Sequence, residues 1–211
     1  MGGGPTDGGA GMKRTAGLVR TVRERGGDGS DVMADAYMGW THDNAKRMLR
    51  RLEPFNLRWL EEPVIPDDVY GYAELKSYGR IPIAGGEHEF TSYGFRDLLE
   101  ARALDYIQFD TNRVGGLTQA RKIAALAEAY SVPVIPHAGQ MHNYHVVMAS
   151  LNSPMAEYFP VVDVEVGNEL FWYIFNGEPS AKDGFIDLDE SVPGLGLTIN
   201  EAALEQFEVS E

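Results

Sequence analysis

The sequence predicts an α/β fold built on a parallel sheet. Short apolar strand-like runs alternate with amphipathic helical patterns along most of the 211 residues, the signature of βαβ units. Ionisable residues recur at or near the ends of the strand-like runs, at positions 35, 61, 87, 110, 137 and 157. Each interval is about one strand plus one helix, so all six can share one edge of the sheet. In a (β/α)8 barrel that edge is the C-terminal mouth, where active sites are built. No Gly-x-Gly-x-x-Gly follows any strand, which leaves a dinucleotide fold without support.

Residues 1–12 are a glycine-rich start, expected to bury nothing, and residues 13–211 read as one domain. Met1-Gly2 with Thr6 matches a myristoylation pattern, but glycine content alone meets so loose a motif. From Lys13 a helix is expected to run to the Gly26-Gly27 break, with Leu18, Val19 and Val22 on one face. A strand-like run from Asp31 to Tyr37 precedes a helix from Thr41, a suitable N-cap, to Leu52. Further strands are expected at Leu57–Glu62, Ile81–Glu87, Tyr106–Asp110, Val132–His137 and Ala156–Phe159. The clearest helix between them is Thr118–Tyr130, with Ile123, Leu126, Ala127 and Tyr130 inward.

Composition narrows the function. Thirty-two acids against eighteen bases give a net charge of −14, which disfavours nucleic-acid binding. No apolar run is long enough for a membrane span and no signal peptide opens the chain, so a cytoplasmic location is expected. With no cysteine, disulfides, thiolate metal sites and cysteine nucleophiles are excluded. Lysine is scarce on this acidic chain, which suits a high-salt habitat and equally an ordinary acidic enzyme.

Asp35, Glu61 and Glu87 on successive strand ends would repel one another unless a cation neutralised them, and hard oxygen ligands suit Mg²⁺. Glu62 is ambiguous, because strand alternation points it away from Glu61. Asp110 and His137 follow one βα unit apart, and a carboxylate beside an imidazole makes a general base. Taken alone, His137 is equally a structural histidine. His137, His142 and His145 raise a competing zinc reading, weakened by the lack of a fourth zinc-type ligand nearby. Contact with substrate is the other role for this pair, taken here for His142.

In order along the chain stand Asp35-Ala-Tyr, Trp59-Leu-Glu-Glu-Pro63, Gly85-Gly-Glu-His-Glu89, Asp110 with Gly115-Gly116, and Pro136-His137. This ordered set resembles the enolase superfamily, and within it the mandelate racemase subgroup, over nearly the whole chain from about Gly4. The Gly-Glu-His and His-Ala-Gly-Gln-Met-His segments are most similar to acid-sugar dehydratases of the L-rhamnonate type. The resemblance implies Asp35, Glu61 and Glu87 as Mg²⁺ ligands and Asp110–His137 as the catalytic dyad. It implies Glu157 as a carboxylate near the substrate's acid group, and His88 as a substrate contact.

The implied reaction is removal of the α-proton of a sugar acid, giving an enediolate that loses water to form a 2-keto-3-deoxy sugar acid. Racemisation or epimerisation is the alternative chemistry, and an inactive fragment serving as a binding or assembly module is the alternative class. The resemblance further implies a partial (β/α)8 barrel of about six of eight βα units, with the N-terminal capping domain absent. Such a chain is expected to form a homo-oligomer or to pair with a missing N-terminal portion, and to turn over poorly alone.

Overall fold

The computed structural model describes residues 5–160 and 170–206. Helix α1 (Gly8–Gly26) leads into β1 (Ala34–Asp35), α2 (His42–Leu52), β2 (Leu60–Glu61), α3 (Val69–Ser77) and β3 (Ile83–Gly85). Then follow α4 (Thr91–Glu100), β4 (Tyr106–Ile107), α5 (Thr111–Val114), α6 (Leu117–Ala129) and α7 (Met141–Met148). The C-terminal stretch holds α8 (Leu170–Ile174), an antiparallel pair β5 (Phe175–Asn176) and β6 (Thr198–Ile199), and α9 (Glu201–Gln206).

Strands β1 to β4 pair in sequence order, all parallel, and Val134 extends the sheet through a parallel bridge to Ile107. This is the expected α/β architecture. The ladders are shorter than expected, and left-handed residues bend the chain away after β1, β2 and β3. Tyr37 (φ 48°) and Met38 (φ 55°) follow β1, Glu62 (φ 37°) follows β2, and Gly86 (φ 116°) follows β3.

The sixth expected strand, Ala156–Phe159, does not form. Its place beside Val134 is taken: the Val134 N–H donates to Asn152 O at 3.0 Å, and Ser153 Oγ donates to Val134 O at 2.7 Å. Asn152 Nδ2 holds this corner by donating to Ala124 O and Val132 O, each at 3.1 Å. Residues 156–159 run on without ladder bonds, pressed against Gly139. An added Cβ at Gly139 would lie 2.5 Å from Glu157 O, so that close approach requires glycine.

Strand alternation decides the two faces. Leu60, Ile83, Ile107 and Val134 are fully buried in the main core with Leu49 and Leu52 of α2, Leu75 of α3, Phe95 of α4 and Ile123 of α6. Trp59, Ala84 and Ile135, of opposite parity, form a separate small cluster with Tyr106 and Met155. A period of two then carries Glu61, Gln108 and His137 onto that same inner face.

Two helix faces differ from expectation. Helix α1 begins at Gly8, before Lys13, and buries Gly11 and Met12, so the glycine-rich start takes part in the core. Its buried line continues through Thr15, Val19 and Arg23, while Leu18 and Val22 are exposed. In α6 the small residues Ala120, Ala124 and Ala127 flank buried Ile123 and let the helix lie close to the sheet. Tyr130, beyond its end, is exposed. Thr41 caps α2 as expected, accepting the Asn44 N–H at 3.4 Å. No helix among the described residues is long and apolar enough to cross a membrane.

Arg23 is the main polar tie in this core. Its guanidinium donates to Gly27 O (2.9 Å), Ser30 O (2.6 Å), Phe55 O (2.9 Å) and Asn56 O (2.9 Å), joining the end of α1 to the loop before β2. Arg23→Met, which keeps the apolar stem, should lower stability by about 2 kcal/mol or more because the carbonyls lose a charged donor. Arg23→Lys should recover little, since an ammonium cannot reproduce the planar fork. Chemical-denaturation midpoints of the three proteins check this.

Candidate functional site

Site residues follow directly from the sheet register. Asp35 and Glu61 are direct partners across β1 and β2. Gly85, Ile107 and Val134 are register partners in turn across the later strands; Glu87 lies two residues beyond Gly85, and Asp110 and His137 lie three residues beyond Ile107 and Val134. Five of the predicted residues therefore occupy one edge of the sheet, on adjacent strands.

Asp110 divides its two oxygens. Oδ1 accepts the N–H groups of Asn112 (2.7 Å) and Arg113 (3.2 Å), capping α5, and Oδ2 accepts the His137 Nδ1–H at 3.0 Å. The backbone anchors hold the carboxylate still while it orients the ring. The other nitrogen, His137 Nε2, lies 3.3 Å from Glu87 Oε2. Burial alone would lower the pKa of His137, but the Asp110 hydrogen bond and the charges of Glu87 and Glu157 push it up to about 9. Burial would likewise raise the Asp110 carboxyl, yet the His137 bond and charge and the two backbone N–H groups hold it below its ordinary value.

The carboxylates are crowded. Burial pushes the Glu61 carboxyl up to about 7, opposed by a hydrogen bond from Gln108 and reinforced by the charges of Glu157 and Asp35. Trp59 Nε1–H also donates to Glu61, at 3.3 Å. Glu157 is raised by burial as well, although it feels His137 and accepts the Ala138 N–H at 2.6 Å. Repelling carboxylates in a partly desolvated mouth are a poor arrangement alone and a suitable one around a hard divalent cation. Asp35, Glu61 and Glu87 offer the all-oxygen donors that Mg²⁺ prefers, so the residues present fit that ion.

Among the described residues, the three potential ligand atoms that lie within 4.8 Å of one another belong to Glu62, Glu87 and His88, not to Asp35, Glu61 and Glu87. The imidazole of this set is already engaged, because His88 Nδ1 meets Glu62 Oε2 at 2.9 Å and Glu87 Oε1 at 3.5 Å. The set reads as a hydrogen-bonded pair beside the carboxylate cluster.

His142 stands apart from the dyad. Its Nε2 is buried without a hydrogen-bond partner, burial lowers its pKa, and it lines a cavity of about 500 Å³ with Thr111, Leu117, Phe175 and Glu178. His145 Nε2 instead meets Leu195 O at 3.2 Å. Among the described residues the three histidines do not form a zinc set, because the short α7 turns His145 toward the C-terminal stretch.

Two contributors are absent from the sequence reading. Gln108, buried beneath Glu61, lies two residues before Asp110, a spacing that places both on one strand face. Arg113 Nη1 donates to Glu87 O at 3.0 Å and lies 3.4 Å from Glu87 Oε1, tying the ends of β3 and β4 together. Its position three residues after Asp110, one helical turn on, was the available signal.

Residues 2–203 match the family described as enolase C-terminal domain-like. The L-rhamnonate dehydratase of Saccharopolyspora erythraea is 37% identical over 204 residues, covering 93% of this chain and 51% of the relative. A rhamnonate dehydratase from Gibberella zeae, solved in complex with Mg, superposes with a TM-score of 0.85 at 36% identity, covering 96% of this chain and 51% of that one. A racemase from Streptomyces coelicolor A3(2) with bound magnesium superposes with a TM-score of 0.85 at 32% identity, covering 94% and 52%. The chain spans about half the length of the curated relatives it matches.

The raised pKa of His137 has a stability consequence. With a folded value of about 9 against an ordinary 6.5, its pairing stabilises the fold fully below about pH 6.5 and is lost as pH rises through 9. Asp110→Asn should lower the His137 pKa by at least about one unit, since the first favourable contact goes. Histidine NMR titration checks the value, and alkaline unfolding curves should show a flatter pH dependence in the variant.

Proposed function

The chain belongs to the enolase C-terminal domain-like family, and on that premise we propose that it carries the metal-binding and proton-abstracting groups of a Mg²⁺-dependent sugar-acid dehydratase. The carrying observation is the Asp110–His137 hydrogen bond of 3.0 Å beside Glu87, within one cluster of carboxylates. The similarity to proteins named as rhamnonate dehydratases supports an aldonate substrate, with L-rhamnonate first.

Asp35, Glu61 and Glu87 would hold the ion. When bound, Mg²⁺ supplies positive charge that stabilises the second negative charge arising when a carboxylate loses its α-proton. The remaining work falls to the protein. Asp110 keeps the proton of the neutral His137 ring on Nδ1, so Nε2 is the atom that takes the C2 proton. Compensation of the carboxylate charge removes part of the attraction that keeps His137 protonated, and so brings the base nearer neutral pH. The same imidazole then carries a proton for the departing 3-hydroxyl. Glu157, fixed by the Ala138 N–H, would border the substrate's acid group, and His88 would contact the substrate beside Glu87.

Racemisation is the second reading, favoured by the structural similarity to the Streptomyces coelicolor racemase. Incubation with a sugar-acid panel separates the two readings. The dehydratase reading expects a 2-keto-3-deoxy product that depends on Mg²⁺, whereas inverted C2 stereochemistry without loss of water would favour racemisation. Turnover is expected to be slow in a chain that spans about half the length of these relatives, so the product is sought over long incubation; neither product, with Mg²⁺ bound, would then favour a binding module.

Mg²⁺ should raise the melting temperature, by the equivalent of about 2.7 kcal/mol at one hundred times its Kd. Because Glu61 titrates at about 7, the affinity should fall by up to about tenfold per pH unit below that point. In the metal-free protein the same group favours the fold less as pH rises from about 4.5 to 7, since the folded state binds the extra proton there. His137→Asn should abolish the product while leaving the Mg²⁺ melting shift nearly intact. Turnover like that of the unaltered chain would remove His137 as the base.

A further inference from the structure

We propose that Glu62 is a positioning residue that commits His88 to its Nδ1–H form, so that Nε2 accepts a hydrogen bond from a substrate hydroxyl. The inference rests on the sugar-acid reading and adds a specificity device to it. Glu62 is 1% exposed, the most buried carboxylate among the described residues, and a carboxylate there must be satisfied by a donor. Both of its oxygens meet His88 Nδ1, at 2.9 and 3.1 Å.

The backbone holds this arrangement at a cost. Glu62 adopts φ 37°, in the left-handed region that a residue other than glycine rarely enters. It is pinned there by two backbone bonds, its own N–H to Ala84 O at 3.1 Å and the Met38 N–H to its carbonyl at 2.7 Å. This kink after Glu61 lets two successive glutamates serve different partners, Glu61 in the carboxylate cluster and Glu62 under His88. Tyr37 meets the His88 ring edge to face, with ring centroids 6.0 Å apart.

A neutral imidazole has one N–H, and ionised carboxylates are acceptors only. Nδ1 faces two of them, Glu62 and, at 3.5 Å, Glu87, so the proton belongs on Nδ1. Nε2 then presents a lone pair. A lone pair accepts from a hydroxyl and repels a carboxylate oxygen. His88, next to Glu87 in the chain, thereby distinguishes the polyol part of a sugar acid from its acid group.

The test is nitrogen-15 NMR of the histidine rings in the full chain, under conditions where His88 is neutral. The unaltered chain should show a protonated Nδ1 and an unprotonated Nε2. Glu62→Leu should move the His88 Nε2 resonance toward the protonated position, and Glu62→Gln, whose amide oxygen still accepts, should restore it. L-rhamnonate should shift the Nε2 resonance and acetate should not. An Nε2–H ring in the unaltered chain would overturn the proposal, which keeps it testable even if Glu62→Leu fails to fold. An unchanged ring in folded Glu62→Leu, or equal responses to acetate and L-rhamnonate, would overturn it as well. The Mg²⁺ melting shift needs neither Glu62 nor His88, so its presence or absence separates failure of this inference from failure of the metal reading.

Discussion

Carboxylate repulsion at the end of a parallel sheet is the constraint that organises the rest of the site. Asp35 and Glu61 are register partners, and burial first, then the charges of Glu157 and Asp35, let Glu61 hold a proton up to about pH 7. Such a gathering persists because the surrounding core is large and apolar. It is relieved locally by the His137 and Arg113 donors at Glu87 and the Gln108 and Trp59 donors at Glu61. Such repulsion is what a hard cation would relieve, and the charges of Glu87 and Glu157 add to the basicity of His137 in the dyad beside it.

The fold makes this possible by separating its two jobs. One strand face, with Leu60, Ile83, Ile107 and Val134, is given to the helix layer and supplies the stability. The opposite face has a small apolar patch of Trp59, Ala84 and Ile135 and otherwise carries polar groups toward the mouth. Left-handed turns immediately after the strands then aim individual side chains. At Glu62 one such turn sends two adjacent glutamates to different tasks.

The site was legible in the sequence because acids and a histidine recur with the βα period, and a period of that length can only be one sheet edge. Asp35, Glu61, Glu87, Asp110 and His137 come to that edge for this reason. What escaped depends on contacts between elements. Gln108 and Arg113 carry no periodic signal of their own, and their roles arise from neighbours on other strands. The Ala156–Phe159 run has strand-like composition, but Asn152 and Ser153 satisfy the Val134 edge first. At α1, local apolarity suggested Leu18, Val19 and Val22, whereas packing buried Val19 with Met12, Thr15 and Arg23 and left Leu18 and Val22 exposed.

On the proposed reading the cation sits among Asp35, Glu61 and Glu87, with His137 beside it as a base that does not ligate. Crystals grown with Mn²⁺ in place of Mg²⁺ test it most directly, through the anomalous signal of the ion. A single peak bounded by carboxylate oxygens of Asp35, Glu61 and Glu87, with oxygen neighbours alone, is the predicted result. A peak between Glu62, Glu87 and His88 with a nitrogen ligand, or a peak ligated by His137, would contradict the account.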